Sequence, residues 1–497
     1  MSDSSASHIL AIDQSTSATK AVLFDGAGVV MGKASREHRQ IYPQPGWVEH
    51  DAEEIWQNVI AVVGELSARQ RERLATTAAL AISNQRETFV LFERETGRPL
   101  TNAIVWQCRR GDDVCRELAA AGSGELVRRK TGLKLDTYFS GSKLKRLLGE
   151  RDDLREKLSS GEALFGTMDT YLVYRMTGGR VFATDPTNAS RTLLYDISAL
   201  RWDDELARLF DVPTRSLASV RESFATFGET DLGGALPAKL PISGVMGDSQ
   251  ASLFAQRCYD SGSAKATFGS GTSVMLNIGD RWQDFGPGTV TALGWVLRGK
   301  PTYAVEGLIN YSSATVSWLK DQLGLIRDAA ETDSLARAVD DNGGVYLVPA
   351  FAGLSAPYWS QDARAAIVGM TAHSRREHIV RAALESTAYQ IRDVLEMMRR
   401  DTGVEPRALH GDGGPTRNEF LMQFTADVTG VELVVSEVPE SSAMGAALAA
   451  RLGLGHFSSL DDLSRLPLST RTYRPAVERS RFDGWYAGWQ AAVQRVL

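Results

Sequence analysis

Short apolar runs bounded by polar turns alternate along this chain with longer stretches in which apolar side chains recur every three to four positions. The first pattern predicts buried strands and the second amphipathic helices. Residues 8–12 and 21–24 read as strands, and Asp25-Gly26-Ala27-Gly28 turns the chain toward a third at 29–31. The same plan recurs where 263–268 leads through Gly269-Ser270-Gly271-Thr272 into 273–278 and the turn Gly279-Asp280. Helical periodicity follows in each half, at 51–66 and again at 376–399. A meander followed by helices, written twice, predicts an α/β chain of two related lobes. Their boundary is expected near residue 255, giving lobes 1–255 and 256–497, with Asp260-Ser261-Gly262-Ser263 as the linker turn.

Length fits this division, because 497 residues exceed what a single core usually supports. Two lobes imply a cleft. The formal net charge of −6, with no basic tract, argues against a nucleic-acid partner. Cys108, Cys115 and Cys258 are odd in number and lack CxxC spacing, which argues against a disulfide framework and a zinc site and suits a reducing cytoplasm. The segment Met1–Ser7 has no basic stretch followed by an apolar one, and no apolar run approaches the roughly 20 residues that span a bilayer. A soluble chain without a membrane span is expected.

Three polar turns sit between apolar runs: Asp13-Gln14-Ser15-Thr16-Ser17, Gly269-Ser270-Gly271-Thr272 and Gly411-Asp412-Gly413-Gly414. Turns of small residues expose N–H groups and hydroxyls that hold phosphate oxygens, so together they suggest a nucleotide site. Asp13, at a strand end, can hold Mg²⁺ while Thr16 and Ser17 offer hydroxyls; an Asx-type hairpin turn accounts for it equally well. Gly269-Ser270-Gly271 has the same two readings. Gly413 and Gly414 precede the helical run 418–428, where a ligand can approach a helix start. Asp248 lies between the apolar run 241–246 and a helix at 250–256; it serves either as an N-cap or as a carboxylate facing the cleft that accepts a proton from a substrate hydroxyl. Arg86 and Glu87 follow the strand 79–83 and form either a surface ion pair or a donor and acceptor for neighbouring hydroxyls, with Trp106 and Tyr138 to pack on the carbon chain. The seven histidines show no metal-ligand spacing, and Met397 and Met398 read as core filling.

Longer motifs carry a resemblance. Tyr42-Pro43-Gln44-Pro45-Gly46-Trp47-Val48-Glu49-His50-Asp51, Asn84-Gln85-Arg86-Glu87-Thr88, Trp106-Gln107-Cys108-Arg109-Arg110, Thr184-Asp185-Pro186-Thr187-Asn188-Ala189-Ser190-Arg191-Thr192 and Ala356-Pro357-Tyr358-Trp359 resemble the FGGY carbohydrate kinases over nearly the whole chain. Within that family the glycerol-phosphorylating members are the most similar. The resemblance implies the duplicated fold shared with actin, hexokinase and Hsp70, a ribonuclease H-like α/β architecture, with ATP and an acceptor meeting in a cleft that closes by a hinge. It implies Asp248 as general base, Asp13 as a Mg²⁺ site, and Thr16, Ser17 and Lys20 beside the transferred phosphate. Gly269, Ser270 and Ser313 would face the phosphates, and Gly414 and Asn418 the adenosine side. Arg86, Glu87, Trp106, Tyr138 and Asp248 would form the acceptor pocket, with Ser249 and Ser273 on its wall.

Those two serines depart from the glycerol-phosphorylating members, which usually have Gln and Phe there. Both changes remove bulk and add a hydroxyl, so a four- or five-carbon polyol such as erythritol or a pentitol, or a ketose, stands as an alternative acceptor to glycerol. Ser15, Ser313 and Ser317 also depart, near the nucleotide, and 233–239 lacks the loop that some bacterial relatives use for a sugar bisphosphate effector. A non-catalytic ATP-binding protein of the same fold is the remaining alternative. The expected partner is a small polyol; a dimer or tetramer of the chain stays open.

Overall fold

The computed structural model describes residues 8–286, 288–476 and 479–497; Met1–Ser7, with the expectation of no leader there, lies outside them. The N-terminal sheet runs in the order Thr226–Thr230, Leu240–Gly247, Thr77–Asn84, His8–Gln14, Ala18–Phe24, Val30–Glu37. Its last three strands form the antiparallel meander, while His8–Gln14 pairs in parallel with Thr77–Asn84, which pairs in parallel with Leu240–Gly247. The C-terminal sheet repeats that plan: Lys300–Ile309, Thr272–Gly279 and Ser263–Phe268 are antiparallel, and Ala408–Asp412 and Glu432–Ser436 continue in parallel. Val290–Leu297 and Thr470–Tyr473 extend its two edges. The molecule is a two-lobed α/β duplication.

The helix Ala52–Ala75 begins where the sequence places it, because the Asp51 carboxylate accepts from the Glu53 and Glu54 N–H groups. Ile55, Val59, Val62, Val63 and Leu66 then form a buried stripe. It runs nine residues past the expected end, with Gln70 off helical geometry (φ −133°) and Leu74 buried again. Its counterpart Arg376–Thr402 stops at Gly403, which supplies the left-handed φ of 72°.

Two shorter helices join the halves. Leu240–Gly247 runs directly into Asp248–Ala255, and Glu432–Ser436 is followed by Ser441–Gly453. These helices pack on one another, and the second also lies against the N-terminal strands. Its sequence, Ser-Ser-Ala-Met-Gly-Ala-Ala-Leu-Ala-Ala-Arg-Leu-Gly, has Ser, Ala or Gly at nine of thirteen positions, so backbones approach closely. One core cluster therefore draws on both halves, with Ile9, Phe24, Leu253 and Phe254 beside Met275, Trp295, Ala446 and Leu448. A smaller sheet, made of Glu49–His50, Phe89–Glu93, Ala103–Ile104 and Ala163–Thr167, stands beside the N-terminal half, and Trp106 follows it directly. Among the described residues no helix is long and apolar enough to cross a membrane.

Candidate functional site

Strand register assembles the N-terminal side. Gln14 lies opposite Asn84, and Asn84 opposite Gly247, so Asp13, Arg86 and Asp248 sit together at the carboxyl ends of adjacent parallel strands. Open α/β sheets bind ligands beyond such ends. Asp248 is the first helical residue and Gly247 holds the N-cap position, so the expected cap role falls away; its Oδ1 accepts from the Ser249 N–H at 2.7 Å and faces Arg86 Nε at 3.4 Å.

Arg86 and Glu87 are 4% and 1% exposed, which overturns the surface ion-pair reading. Their closest approach is 3.9 Å, and each has a stronger partner. Arg86 Nη2 donates to Glu306 Oε1 at 2.8 Å, and Arg191 Nε donates to Glu87 Oε1. Burial pushes the Glu87 carboxyl up despite Arg191 and Arg86. For Glu306 the balance reverses: burial raises it, but Arg191 and then Arg86 outweigh burial and hold it at about 2. Glu87 also adopts φ 63°, a strained backbone for a non-glycine residue beside a candidate site.

Trp106 and Tyr138 form a tilted ring pair at 5.2 Å, and Trp106 Nε1 donates to Thr16 Oγ1 at 2.9 Å, joining the aromatic wall to the first polar turn. Behind that turn lies a network that sequence reading missed. Gln40 and the His38 Nε2–H both donate to the Thr16 carbonyl, each at 2.9 Å, and His50 Nε2–H donates to Gln40 Oε1. Burial, and then His38, push His50 down to about 3, so it is neutral at ordinary pH. Asp13 is raised to about 6, first by burial, while Lys20 at 3.4 Å pulls the other way and Asp248 adds to the rise. Lys20 also meets Glu440 of the other half at 2.6 Å, and Ser17 lies exposed on the same turn.

On the C-terminal side the second and third turns are neighbours, because Ser263–Phe268 pairs with Ala408–Asp412. Gly413 has φ 102°, and a Cβ there would collide with the Phe268 carbonyl. Gly414 faces open space. Ser313 closes on the second turn, with its N–H and hydroxyl donating to the Gly269 carbonyl while Ser312 and Ala314 N–H groups donate to Ser270. The expected helix at 418–428 is Glu419–Thr429, with Asn418 as its cap: Asn418 Oδ1 accepts from the Leu421 N–H and Nδ2 donates to Thr332. Ser273 Oγ stands 3.5 Å from Glu306 Oε1, and Ser249 follows Asp248 on the helix. Among the described residues no three His, Cys, Asp or Glu side chains gather as a metal cluster.

Glu306 was not singled out from sequence, and Arg191 entered only within the motif 184–192, with no site role. The signal available was a lone acid in the apolar run Tyr303-Ala304-Val305-Glu306-Gly307-Leu308-Ile309, where an unpaired charge is costly.

Residues 8–255 match the N-terminal domain of the FGGY family of carbohydrate kinases, and 264–454 match its C-terminal domain. The chain is 45% identical over 490 residues to glycerol kinase 1 of Thermotoga maritima, covering 99% of both chains. It is 46% identical over 488 residues to the glycerol kinase of Carboxydothermus hydrogenoformans, covering 98% of both. Among solved structures, Plasmodium falciparum glycerol kinase with ADP aligns at a TM-score of 0.94 and 34% identity, covering 99% of this chain and 98% of that one. The expected architecture and the resemblance both hold: the chain belongs to the FGGY family of carbohydrate kinases.

Proposed function

We propose that this chain transfers the γ-phosphate of ATP to a terminal hydroxyl of glycerol, giving glycerol 3-phosphate. The observation that carries the reading is the pairing of Asp248 with Arg86 at 3.4 Å beside the Trp106/Tyr138 wall, in a chain that matches glycerol kinases end to end. In this reading Arg86 donates to, and Glu87 accepts from, neighbouring hydroxyls while the rings pack on the carbon chain. Asp248 accepts the proton of the attacking hydroxyl. Thr16, Ser17, Lys20, Gly269, Ser270 and Ser313 face the phosphates, and Gly414 and Asn418 the adenosine side. Asp13 suits Mg²⁺, an ion commonly held by one or two carboxylates together with substrate phosphates. Such an ion supplies charge neutralisation at the phosphate oxygens. The open space at Gly414 and the close approach at Gly413 fit a nucleotide cradle.

The rest of the chemistry is positioning. Phosphoryl transfer asks little covalent work of the protein, so alignment of the alcohol and exclusion of water decide the rate. We also propose lobes 1–255 and 256–497 as the acceptor and nucleotide halves, and action in the cytoplasm, supported by free Cys108, Cys115 and Cys258. Whether the chain works as a dimer or tetramer is read by sizing with light scattering.

A larger polyol or a ketose is the second reading, favoured by the small Ser249 and Ser273. ADP release with Mg²⁺-ATP across glycerol, dihydroxyacetone, erythritol, threitol, pentitols and ketopentoses, against an acceptor-free control, separates the two. Glycerol highest in kcat/KM supports the main reading; another acceptor ahead by tenfold, about 1.4 kcal/mol of discrimination, replaces it. Acceptor-independent hydrolysis alone ends both.

A further inference from the structure

We propose that Glu306 is a positioning residue for acceptor binding: it reaches from the C-terminal half to orient Arg86 directly and Glu87 through Arg191. The inference rests on the kinase reading above and extends it to a residue on the opposite lobe.

Glu306 lies on Lys300–Ile309, a strand of the C-terminal sheet, and is 2% exposed. A carboxylate buried in that strand costs several kcal/mol unless both oxygens are paired. Both oxygens face an arginine of the other half at 2.8 Å: Oε1 accepts a hydrogen bond from Arg86 Nη2, and Oε2 meets Arg191 Nη2 as an ion pair outside hydrogen-bond geometry. Arg191 is wholly buried, its guanidinium 5.0 Å from the Phe139 ring centre and 5.8 Å from that of Tyr138, while its Nε holds Glu87. The candidate acceptor pair is therefore tied at both members to one carboxylate.

The directions of these contacts give the tie its consequence. Glu306 takes Nη2 of Arg86, Gln250 Oε1 accepts from Nη1 at 3.3 Å, and Asp248 faces Nε at 3.4 Å. Take Glu306 away and Arg86 keeps Asp248 as its nearest carboxylate partner, which turns the guanidinium toward the base. Glu87 meanwhile is held by an arginine that has lost its other carboxylate. Arg86 and Glu87 are thus set for neighbouring hydroxyls only while the two halves stand together. A buried ionic network is a poor source of net stability compared with apolar packing, so orientation is the better account of its presence here.

The test compares the parent with E306Q, which keeps size and removes charge, and with E306D, which keeps charge at shorter reach. Steady-state kinetics with Mg²⁺-ATP are measured with and without glycerol, with thermal melts on each protein. E306Q is expected to raise the glycerol KM at least tenfold while the ATP KM stays within twofold. It is also expected to increase acceptor-free ADP release relative to glycerol-dependent release, and E306D to fall between E306Q and the parent. Lost stability with unchanged kinetic constants in the folded fraction would mark a structural role and overturn the proposal. A folded E306Q with the parent's glycerol KM and hydrolysis ratio overturns it too. If E306Q does not fold, E306D carries the same readouts. A parent that does not turn over glycerol sinks the kinase reading and this role together, whereas an active parent matched by its variants sinks the role alone.

Discussion

Gly445→Ala should damage stability and catalysis together, because this residue sits where the two joining helices touch. A Cβ at Gly445 would fall inside the Ala251 carbonyl group and 2.9 Å from the Ala251 Cα. Carbon atoms settle at about 3.5–4.0 Å, so the helices must part by roughly 1 Å or more. The obstacle is main chain, which no rotamer change removes. Overpacking of this kind costs about 1–3 kcal/mol, and the upper end applies where backbone meets backbone. For a lobe of roughly 250 residues that is a fall in Tm of about 6–12 °C. Asp248 opens the helix that Ala251 belongs to, and about 1 Å of misplacement at a reacting group is worth roughly 10²-fold in rate. The assays are differential scanning calorimetry and glycerol-dependent turnover. Gly414→Ala is the stability control, since its Cβ meets nothing within 4 Å. G445A melting within about 2 °C of the parent with an unchanged kcat would refute the reasoning.

Asp248→Asn should lower kcat by roughly 10² to 10⁴ with little change in Tm, since the side chain is partly exposed at a helix start; turnover near the parent value removes Asp248 as the base. His50 makes stability depend on pH in a definite direction. Its folded pKa of about 3 lies below the unfolded value of about 6.5, so the unfolded chain takes the proton first and stability drains as pH falls through that window. Between pH 7 and pH 5 this single group should cost the parent about 2 kcal/mol, and His50→Gln should remove that part of the slope. Urea unfolding at the two pH values reads it; parallel slopes for the two proteins would discard the assignment.

The repeated meander was legible because each turn carries glycine or aspartate between apolar runs, and 263–268 reads from sequence as the strand observed, Ser263–Phe268. The tail of Ala52–Ala75 was not, because its residues Ala68-Arg69-Gln70-Arg71-Glu72-Arg73 carry no apolar stripe; it is held by buried Leu74 and by Arg69 and Gln70 donating to the Lys33 and Met31 carbonyls, pairings that a periodicity does not show. At the site, the residues of the polar turns and strand ends, Arg86 and Glu87 among them, stood out, whereas the distant partners that hold them did not. Glu306 meets Arg86 across 220 positions and Arg191 meets Glu87 across 104. Asp248 and Arg86 had two readings each for the same reason: a sequence shows that a strand ends there, but not what covers the end.

The duplication explains why the two sides of the boundary differ so much in chemistry. Both halves offer the same topological feature, the carboxyl ends of adjacent parallel strands, with Gln14, Asn84 and Gly247 in register on one side and Thr267 and Asp412 on the other. The N-terminal copy fills it with charge, in Asp13, Arg86, Glu87 and Asp248, and the C-terminal copy mainly with backbone, in Gly269, Gly271, Gly413 and Gly414 beside the buried carboxylate of Asp412. Charge fixed in a buried setting can orient and deprotonate an alcohol; backbone without side chains lets phosphate oxygens approach N–H groups. Neither copy alone has both, and Glu306 is the charge that the backbone-rich side contributes to the charged one. Transfer between an alcohol and a phosphate then needs the two copies in contact, which is the arrangement that the joining helices, packed through glycine and alanine, hold in place.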